Sequence, residues 1–244
     1  CSSDLQEAGT FEHLFRQERG QLRGQALAEQ LLALGHQILV IDHDAERLSE
    51  LPTGIVSIVA DLADTASLGR LVVTLSTAGP FDTVVMNAGI SATGRFEQIP
   101  TVDHRKVVAV NLVAPIALTT LLLQGGLVAE GGTLIYISSL SFFLGYPGAS
   151  VYAGTKDGIA IFARSLRRAL GPRSINVLTV MPGPLDTEHA RRYAPLGASG
   201  RGRMQPQEAA KRIIARIGIS GTLVPGLAAM LAGLLGRLFP ALAT

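Results

Sequence analysis

Short apolar runs alternate with longer amphipathic segments along most of this chain, and this alternation restricts its fold more than any other feature. Candidate strands lie at residues 37–41, 55–60, 81–86, 133–138 and 176–181. Candidate helices lie around them at residues 25–34, 45–51, 65–77, 102–123, 152–170 and 206–217. Strands that alternate with helices form a mostly parallel sheet with helices on both faces. The sequence therefore predicts an α/β fold with a doubly wound, mostly parallel sheet.

Composition fits one domain of this kind and excludes several other classes. The chain has 244 residues, of which 48% are hydrophobic and 16% charged, enough for one large core. The net charge of +2 comes from scattered basic residues, so we expect no nucleic-acid partner. Cys1 is the only cysteine, which excludes an intramolecular disulfide and is compatible with a cytoplasmic protein. We expect no metal site.

Tyr152 and Lys156 form the pair of residues most suggestive of chemistry. On a helix covering 152–170 they stand four residues apart on one face, where the ammonium favours the ionised phenol. A phenol ordinarily titrates near ~10, so it needs such a cation to carry protons at neutral pH. Ser139, at the end of the preceding apolar run, is placed to hydrogen-bond a substrate oxygen beside the phenol. The alternative is that this helical spacing arises by chance.

Several further motifs occur in an order that resembles the short-chain dehydrogenase/reductase family. The resemblance runs from about Gly24 to the C-terminus. Its motifs are Ile41-Asp42, Asp61-Leu62, Asn87-Ala88-Gly89, Asn111, Ser139, Tyr152, Lys156 and the segment from Pro182 to Thr187. Each motif is weak alone, and their common order carries the resemblance. It implies a single Rossmann-like domain over residues 1–244 and an oxidoreductase that interconverts a secondary alcohol and a ketone.

The resemblance implies a dinucleotide cofactor, NAD rather than NADP. A carboxylate at Asp42 would accept hydrogen bonds from the adenosine ribose and repel a 2′-phosphate, and His43 stands where an arginine would favour NADP. The alternative for Asp42 is a turn or helix-capping acid. The other residues that the resemblance assigns to cofactor binding are Gly24, Asp61, Leu62, Asn87, Ala88, Gly89, Tyr152, Lys156, Pro182, Gly183 and Thr187.

The resemblance also assigns catalytic roles. Tyr152 would exchange a proton with the substrate oxygen, which Ser139 would orient. Lys156 would lower the phenol pKa and hold the nicotinamide ribose. Asn111 would hold a water that links Lys156 to solvent. The alternative for Asn111 is a polar residue that interrupts an apolar helix face.

The N-terminal segment, residues 1–23, departs from the family pattern. Where the family has an apolar strand and a glycine-rich turn, only Gly24 clearly fits, and Leu22 occupies the place of the middle glycine. Glu12 and His13 interrupt what would be a central apolar strand. The segment is a true divergence, an altered start joined to an ordinary family body, or a stretch that packs unusually. The first of these motivates an alternative function, a non-catalytic protein with impaired dinucleotide binding.

Two C-terminal regions are candidates for substrate specificity. Residues 188–205 are rich in glycine, alanine and arginine, as in a mobile substrate loop. The alternative is an ordinary surface segment with solvated arginines, which would have the same composition. Residues 221–244 form an apolar tail that is too short between Pro225 and Pro240 to span a bilayer. We expect this tail to pack on the core or on another subunit, with a lid or a membrane-surface anchor as alternatives. The predicted partners are an apolar alcohol or carbonyl substrate and further copies of the chain, as a homodimer or homotetramer.

Overall fold

The computed structural model describes residues 11–15, 22–141, 148–186 and 203–226. Its strands are β1 (Phe11–Phe15), β2 (Gln37–Asp42), β3 (Ile55–Val59), β4 (Phe81–Met86), β5 (Val128–Ile137), β6 (Asn176–Val180) and β7 (Gly221–Leu223). Its helices are α1 (Leu22–Ala33), α2 (Ala45–Ser49), α3 (Thr65–Leu75), α4 (Thr101–Val108), α5 (Ala114–Gln124), α6 (Ser150–Leu170) and α7 (Pro206–Ile214). The predicted doubly wound α/β fold is confirmed.

The seven strands form one sheet in the order β3-β2-β1-β4-β5-β6-β7, and every neighbouring pair is parallel. The strand order reverses direction between β1 and β4. Ligands of open parallel sheets bind beyond the carboxyl ends of the strands at such a reversal. The motif residues that follow β2, β3, β4, β5 and β6 therefore lie along one edge of the sheet.

Alternate residues of β2 enter two separate cores, as the two-residue period of a strand requires. Leu39 and Ile41 of β2 face the core that is closed by α3, α5 and α6, whereas Ile38 and Val40 face the core beneath α1 and α7. Both faces of the sheet are thus buried, which explains the nearly continuous apolar runs in the sequence.

Two strands of the sheet, β1 and β7, differ from the sequence prediction. β1 pairs with both β2 and β4, so Phe11–Phe15 is a central strand in spite of Glu12 and His13. Backbone hydrogen bonds to two neighbours hold it there. Residues 221–223, which we assigned to the apolar tail, form β7 and pair with β6. Residues 187–202 and 227–244, with Thr187, lie outside the described part of the chain.

The long helix predicted at 102–123 consists of α4 and α5, joined by a π-helical turn at Ala109–Val113. Within the described residues, Thr101–Gln124 is the one stretch long and apolar enough to cross a bilayer. Val107, Val110, Leu118 and Leu122 are all buried against the rest of the protein. This segment is a core helix, which explains its apolar composition.

Candidate active site

Lys156 is a buried cation at the carboxyl edge of the sheet. Its side chain is only 3% exposed. The ammonium Nζ donates to the backbone carbonyl of Ile137 at 2.9 Å and lies 5.9 Å from the centre of the Tyr152 ring. Burying an ammonium is costly unless it is hydrogen-bonded. The sequence-predicted pair of Tyr152 and Lys156 is therefore brought together on the first turns of α6.

Two residues at the end of β5 bond to Lys156, one to its ammonium and one to its backbone carbonyl. While Ile137 accepts from the ammonium, the Ser138 hydroxyl donates to the Lys156 backbone carbonyl at 2.7 Å. Ser138 is fully buried. Strand β5 and helix α6 are thus joined at Lys156. Sequence reasoning missed Ser138, although it adjoins Ser139. The role of Ile137 could not be predicted from its residue type, because the acceptor is its backbone carbonyl.

Gly89 makes room for the lysine. A β-carbon added at this position would lie 2.8 Å from Lys156 Nζ and 3.3 Å from Cε. Carbon and nitrogen atoms that are not bonded rarely approach so closely. A side chain at position 89 would therefore displace the flexible end of Lys156, which gives the glycine of the Asn87-Ala88-Gly89 motif a physical reason.

Asn111 lies in the π-helical turn and joins three elements. Its Oδ1 accepts from the Ile90 amide at 2.7 Å, and its Nδ2 donates to the Ile90 carbonyl at 2.8 Å and to Thr155 Oγ1 at 3.1 Å. The side chain thus fastens the turn after β4 to α6. With Lys156, it borders a cavity of about 10 Å³, room for about one water. That Asn111 holds such a water stays a prediction.

Ser139 follows β5 and is half-buried. Its hydroxyl accepts from the Ser141 amide at 3.2 Å. The next residue, Leu140, donates its amide to the carbonyl of Pro182 at 3.3 Å, so the loops after β5 and β6 run side by side. Ser139, Pro182 and Gly183 therefore lie in neighbouring loops at the same edge.

The residues predicted to bind adenosine lie at the ends of β2 and β3. Asp42 is 2% exposed, and its Oδ1 accepts from the Asp44 amide at 3.1 Å. Asp61 is exposed and accepts from the Ala63 amide at 2.8 Å, whereas Leu62 is buried. Direct contact of these side chains with a ribose or an adenine stays a prediction.

The edge of the sheet retains an unsatisfied donor where a cofactor would lie. Asn87 is 3% exposed, and its Nδ2 has no hydrogen-bond partner in the described part of the chain. Buried donors are nearly always paired, so an unpaired one at a ligand-binding edge fits a missing acceptor. Ala88 beside it is small and half-buried. Asn87 and Ala88 therefore fit a dinucleotide. Gly24, which is also predicted to bind it, lies within α1. Residues 16–21, which precede α1, are outside the described part of the chain.

Comparisons with known proteins identify the family of this chain. The sequence profile of the short chain dehydrogenase family matches residues 23–195. The 3-oxoacyl-[acyl-carrier-protein] reductase MabA of Mycobacterium tuberculosis is 28% identical over 169 residues, which cover 69% of this chain and 67% of that protein. Carbonyl reductase family member 4 of Xenopus laevis is 26% identical over 203 residues, 78% of this chain and 84% of that one.

Solved structures share the same fold. A short-chain dehydrogenase from Streptomyces avermitilis superposes with a TM-score of 0.79 at 24% identity, covering 97% of this chain and 94% of that one. BdcA in complex with NADPH gives 0.72 at 24% identity, covering 88% and 94%. A 3-ketoacyl-(acyl-carrier-protein) reductase from Brucella melitensis, complexed with NADH, gives 0.72 at 18% identity, covering 88% and 97%.

Proposed function

We propose that this chain, which belongs to the short-chain dehydrogenase family, interconverts a secondary alcohol and a ketone through Tyr152, Lys156 and Ser139. Its relatives include a 3-oxoacyl reductase and a carbonyl reductase, so NAD(P)-dependent oxidoreduction is the general activity of the group. The observation that carries the proposal is the buried Lys156 ammonium, hydrogen-bonded to Ile137 and 5.9 Å from the Tyr152 ring.

Each residue of the site has a separate task in this proposal. The Tyr152 phenol donates its proton to the carbonyl oxygen during reduction and removes a proton from the hydroxyl during oxidation. The Lys156 cation beside it favours the phenolate. Ser139 donates a hydrogen bond to the same substrate oxygen. Asn111 holds the backbone of Ile90 against α6 through its hydrogen bonds to Ile90 and Thr155. A bound nicotinamide supplies the hydride in reduction and accepts it in oxidation.

We infer that NAD is the preferred cofactor, because the Asp42 carboxylate at the end of β2 repels a 2′-phosphate. Near pH 8, NADH should bind at least about tenfold more tightly than NADPH, which corresponds to about 1.4 kcal/mol. Titration of the protein with each reduced cofactor, followed by nicotinamide fluorescence, measures both dissociation constants. NADPH affinity equal to or above that of NADH would show that Asp42 does not select the cofactor.

The same titration separates the enzyme from the alternative function. The N-terminal sequence lacks most of the family's glycines, which favours a non-catalytic protein that binds no dinucleotide. Micromolar binding of NADH supports the enzyme. Absence of binding to both reduced cofactors supports the non-catalytic protein.

We further propose that copies of the chain associate through α5 and α6. Ile161 on α6 is 42% exposed and Val113 beside α5 is 40% exposed. The turn that precedes α5 packs on α6, since a β-carbon at Gly158 would lie 3.3 Å from the Leu112 side chain. On α6, burial raises the pKa of the Asp157 carboxyl, whose Oδ1 has no hydrogen-bond partner in the described residues. Such a face fits a second subunit better than solvent.

Replacing Ile161 by glutamate should dissociate this assembly, because a carboxylate would then be buried against the partner without a counter-ion. Light scattering should give the parent a mass of at least two chains of 25.6 kDa and the variant a mass of one. Leu34→Glu is the matched control, since Leu34 is 63% exposed at the end of α1, which packs on the opposite face of the sheet. A parent that is already monomeric would contradict the proposal.

A further inference from the structure

The hydroxyl of Thr155 is buried on α6, directly before Lys156. The residue is 3% exposed. Its Oγ1 donates to the backbone carbonyl of Tyr152 at 2.7 Å and accepts from Asn111 Nδ2 at 3.1 Å. A threonine hydroxyl has a single proton to donate, so the donor of Thr155 is used on Tyr152. The hydroxyl thus joins the backbone of Tyr152 to the side chain of Asn111.

Asn111 gives this hydroxyl a fixed support. The same amide group pairs with the carbonyl and the amide of Ile90, at 2.8 Å and 2.7 Å, and Asn111 is 1% exposed. Both hydrogens of its Nδ2 are therefore used, one on Ile90 and one on Thr155. Hydrogen bonds run without a break from the turn after β4, through Asn111 and Thr155, to the backbone of Tyr152. A buried polar network whose members are paired is rigid.

The carbonyl that Thr155 bonds belongs to the turn that carries both proposed reacting side chains. In an α-helix, the carbonyl of residue 152 also accepts from the amide of residue 156, four positions later. At the other end of this turn, the carbonyl of Lys156 accepts from the Ser138 hydroxyl at 2.7 Å. One hydroxyl therefore holds the backbone of each residue: Ser138 holds Lys156 to β5, and Thr155 holds Tyr152 to the turn after β4.

Thr119 on α5 makes the same kind of bond at a place without chemistry. It is 2% exposed, its Oγ1 donates to the Pro115 carbonyl at 2.6 Å, and it lies 2.7 Å from the Tyr136 hydroxyl. A threonine within a helix often satisfies its hydroxyl on a carbonyl of the preceding turn. Thr119 shows that satisfaction alone, whereas the acceptor of Thr155 is the backbone of the proposed proton carrier.

We propose that Thr155 is a positioning residue for Tyr152. The inference rests on the proposed function, in which the Tyr152 phenol exchanges a proton with the substrate oxygen. Thr155 is buried and its hydroxyl is engaged on both sides, so it acts through Tyr152 and not on the substrate. By holding the backbone of Tyr152 against the turn after β4, it keeps the phenol at one position relative to Lys156 and to a bound substrate.

Thr155→Val tests this inference, because valine has the shape of threonine but lacks the hydroxyl. We expect kcat to fall at least about tenfold, since displacement of a catalytic group by about 1 Å costs about 10² and Ser138 still holds Lys156. The KM of the ketone should change by less than about twofold, because no contact with the ground-state substrate is lost. Thr155→Ser keeps the hydroxyl and should retain at least about half of the parent kcat.

Thr119→Val is the matched control. It removes a buried hydroxyl with the same kind of helical bond, so it should lower Tm about as much as Thr155→Val does but keep the parent kcat. The measurements are kcat and KM with NADH and a panel of ketones, and Tm by circular dichroism. If Thr155→Val does not fold, Thr155→Ala takes its place with the same expected loss of kcat, since alanine is favoured in helices.

Three results would overturn the inference while leaving the proposed function intact. They are a parent-like kcat in the Thr155 variant that lacks the hydroxyl, an equal loss of kcat in Thr119→Val, and a Thr155→Ser variant as slow as Thr155→Val. A parent that binds no NADH and reduces no ketone of the panel would overturn both.

Discussion

Replacing Tyr152 by phenylalanine should reduce turnover by about a thousandfold while the protein remains folded. The variant lacks only the phenolic oxygen, and proton transfer by a positioned side chain contributes about 10² to 10⁴ in rate. Tyr152 is half-buried on α6, beside the Lys156 ammonium, and phenylalanine keeps the ring at this position. The measurement is kcat with NADH and a panel of ketones, together with the circular dichroism spectrum of both proteins.

Tyr136→Phe is the matched control for this experiment. Tyr136 lies on β5 with its hydroxyl 2.7 Å from Thr119 Oγ1, and burial raises its pKa far above the usual range of a phenol. It is therefore unsuited to proton transfer, and the variant should lose about 1 kcal/mol of stability but keep its activity. If Tyr152→Phe retained most of its kcat, another group would have to be the proton carrier.

Replacing Gly89 by alanine should lower kcat by about a hundredfold with little loss of stability. The added β-carbon would stand 2.8 Å from Lys156 Nζ, and the flexible end of the lysine is the atom that must move. Moving the ammonium breaks its bond to Ile137 and takes the cation away from the phenol. Displacement of a catalytic group by about 1 Å costs about 10² in rate.

Gly154→Ala provides the matched control for Gly89→Ala. Gly154 lies between Tyr152 and Lys156 on α6, yet a β-carbon there meets no atom within 4 Å. Alanine is favoured over glycine within a helix by about 1 kcal/mol, so this variant should be slightly more stable and fully active. Full activity of Gly89→Ala, measured alongside it, would mean that the position of the ammonium does not limit the reaction.

Most strands of the sheet could be predicted from the sequence because both faces of the sheet are buried. Strands such as Phe81–Met86 then become uninterrupted apolar runs between helical segments, and the prediction for that strand has the observed bounds. β1 was not predicted, because Glu12 and His13 break its apolar pattern while its pairing with β2 and β4 depends on backbone groups. The three residues of β7 are too few to distinguish from the apolar tail that follows.

The side chains of the candidate site were predictable where their spacing follows a helix. Tyr152 and Lys156 lie on adjacent turns of α6, so a four-residue interval was sufficient to pair them. The partners of Lys156 were not predictable, because Ile137 contributes only its carbonyl and Ser138 acts across a separation of 18 residues. The bonds of Asn111 to Ile90 span 21 residues and depend on a π-helical turn that no local pattern indicates.

The attachment of Lys156 to the end of β5 has a consequence for the entropy of substrate binding. A free lysine side chain samples many rotamers, and fixing one costs about 2 kcal/mol at room temperature. With its carbonyl held by Ser138 and its ammonium held by Ile137, Lys156 loses that freedom when the chain folds. The side chain is already ordered before any substrate arrives. The entropic cost of fixing it therefore reduces neither the affinity for substrate nor the rate of the chemical step.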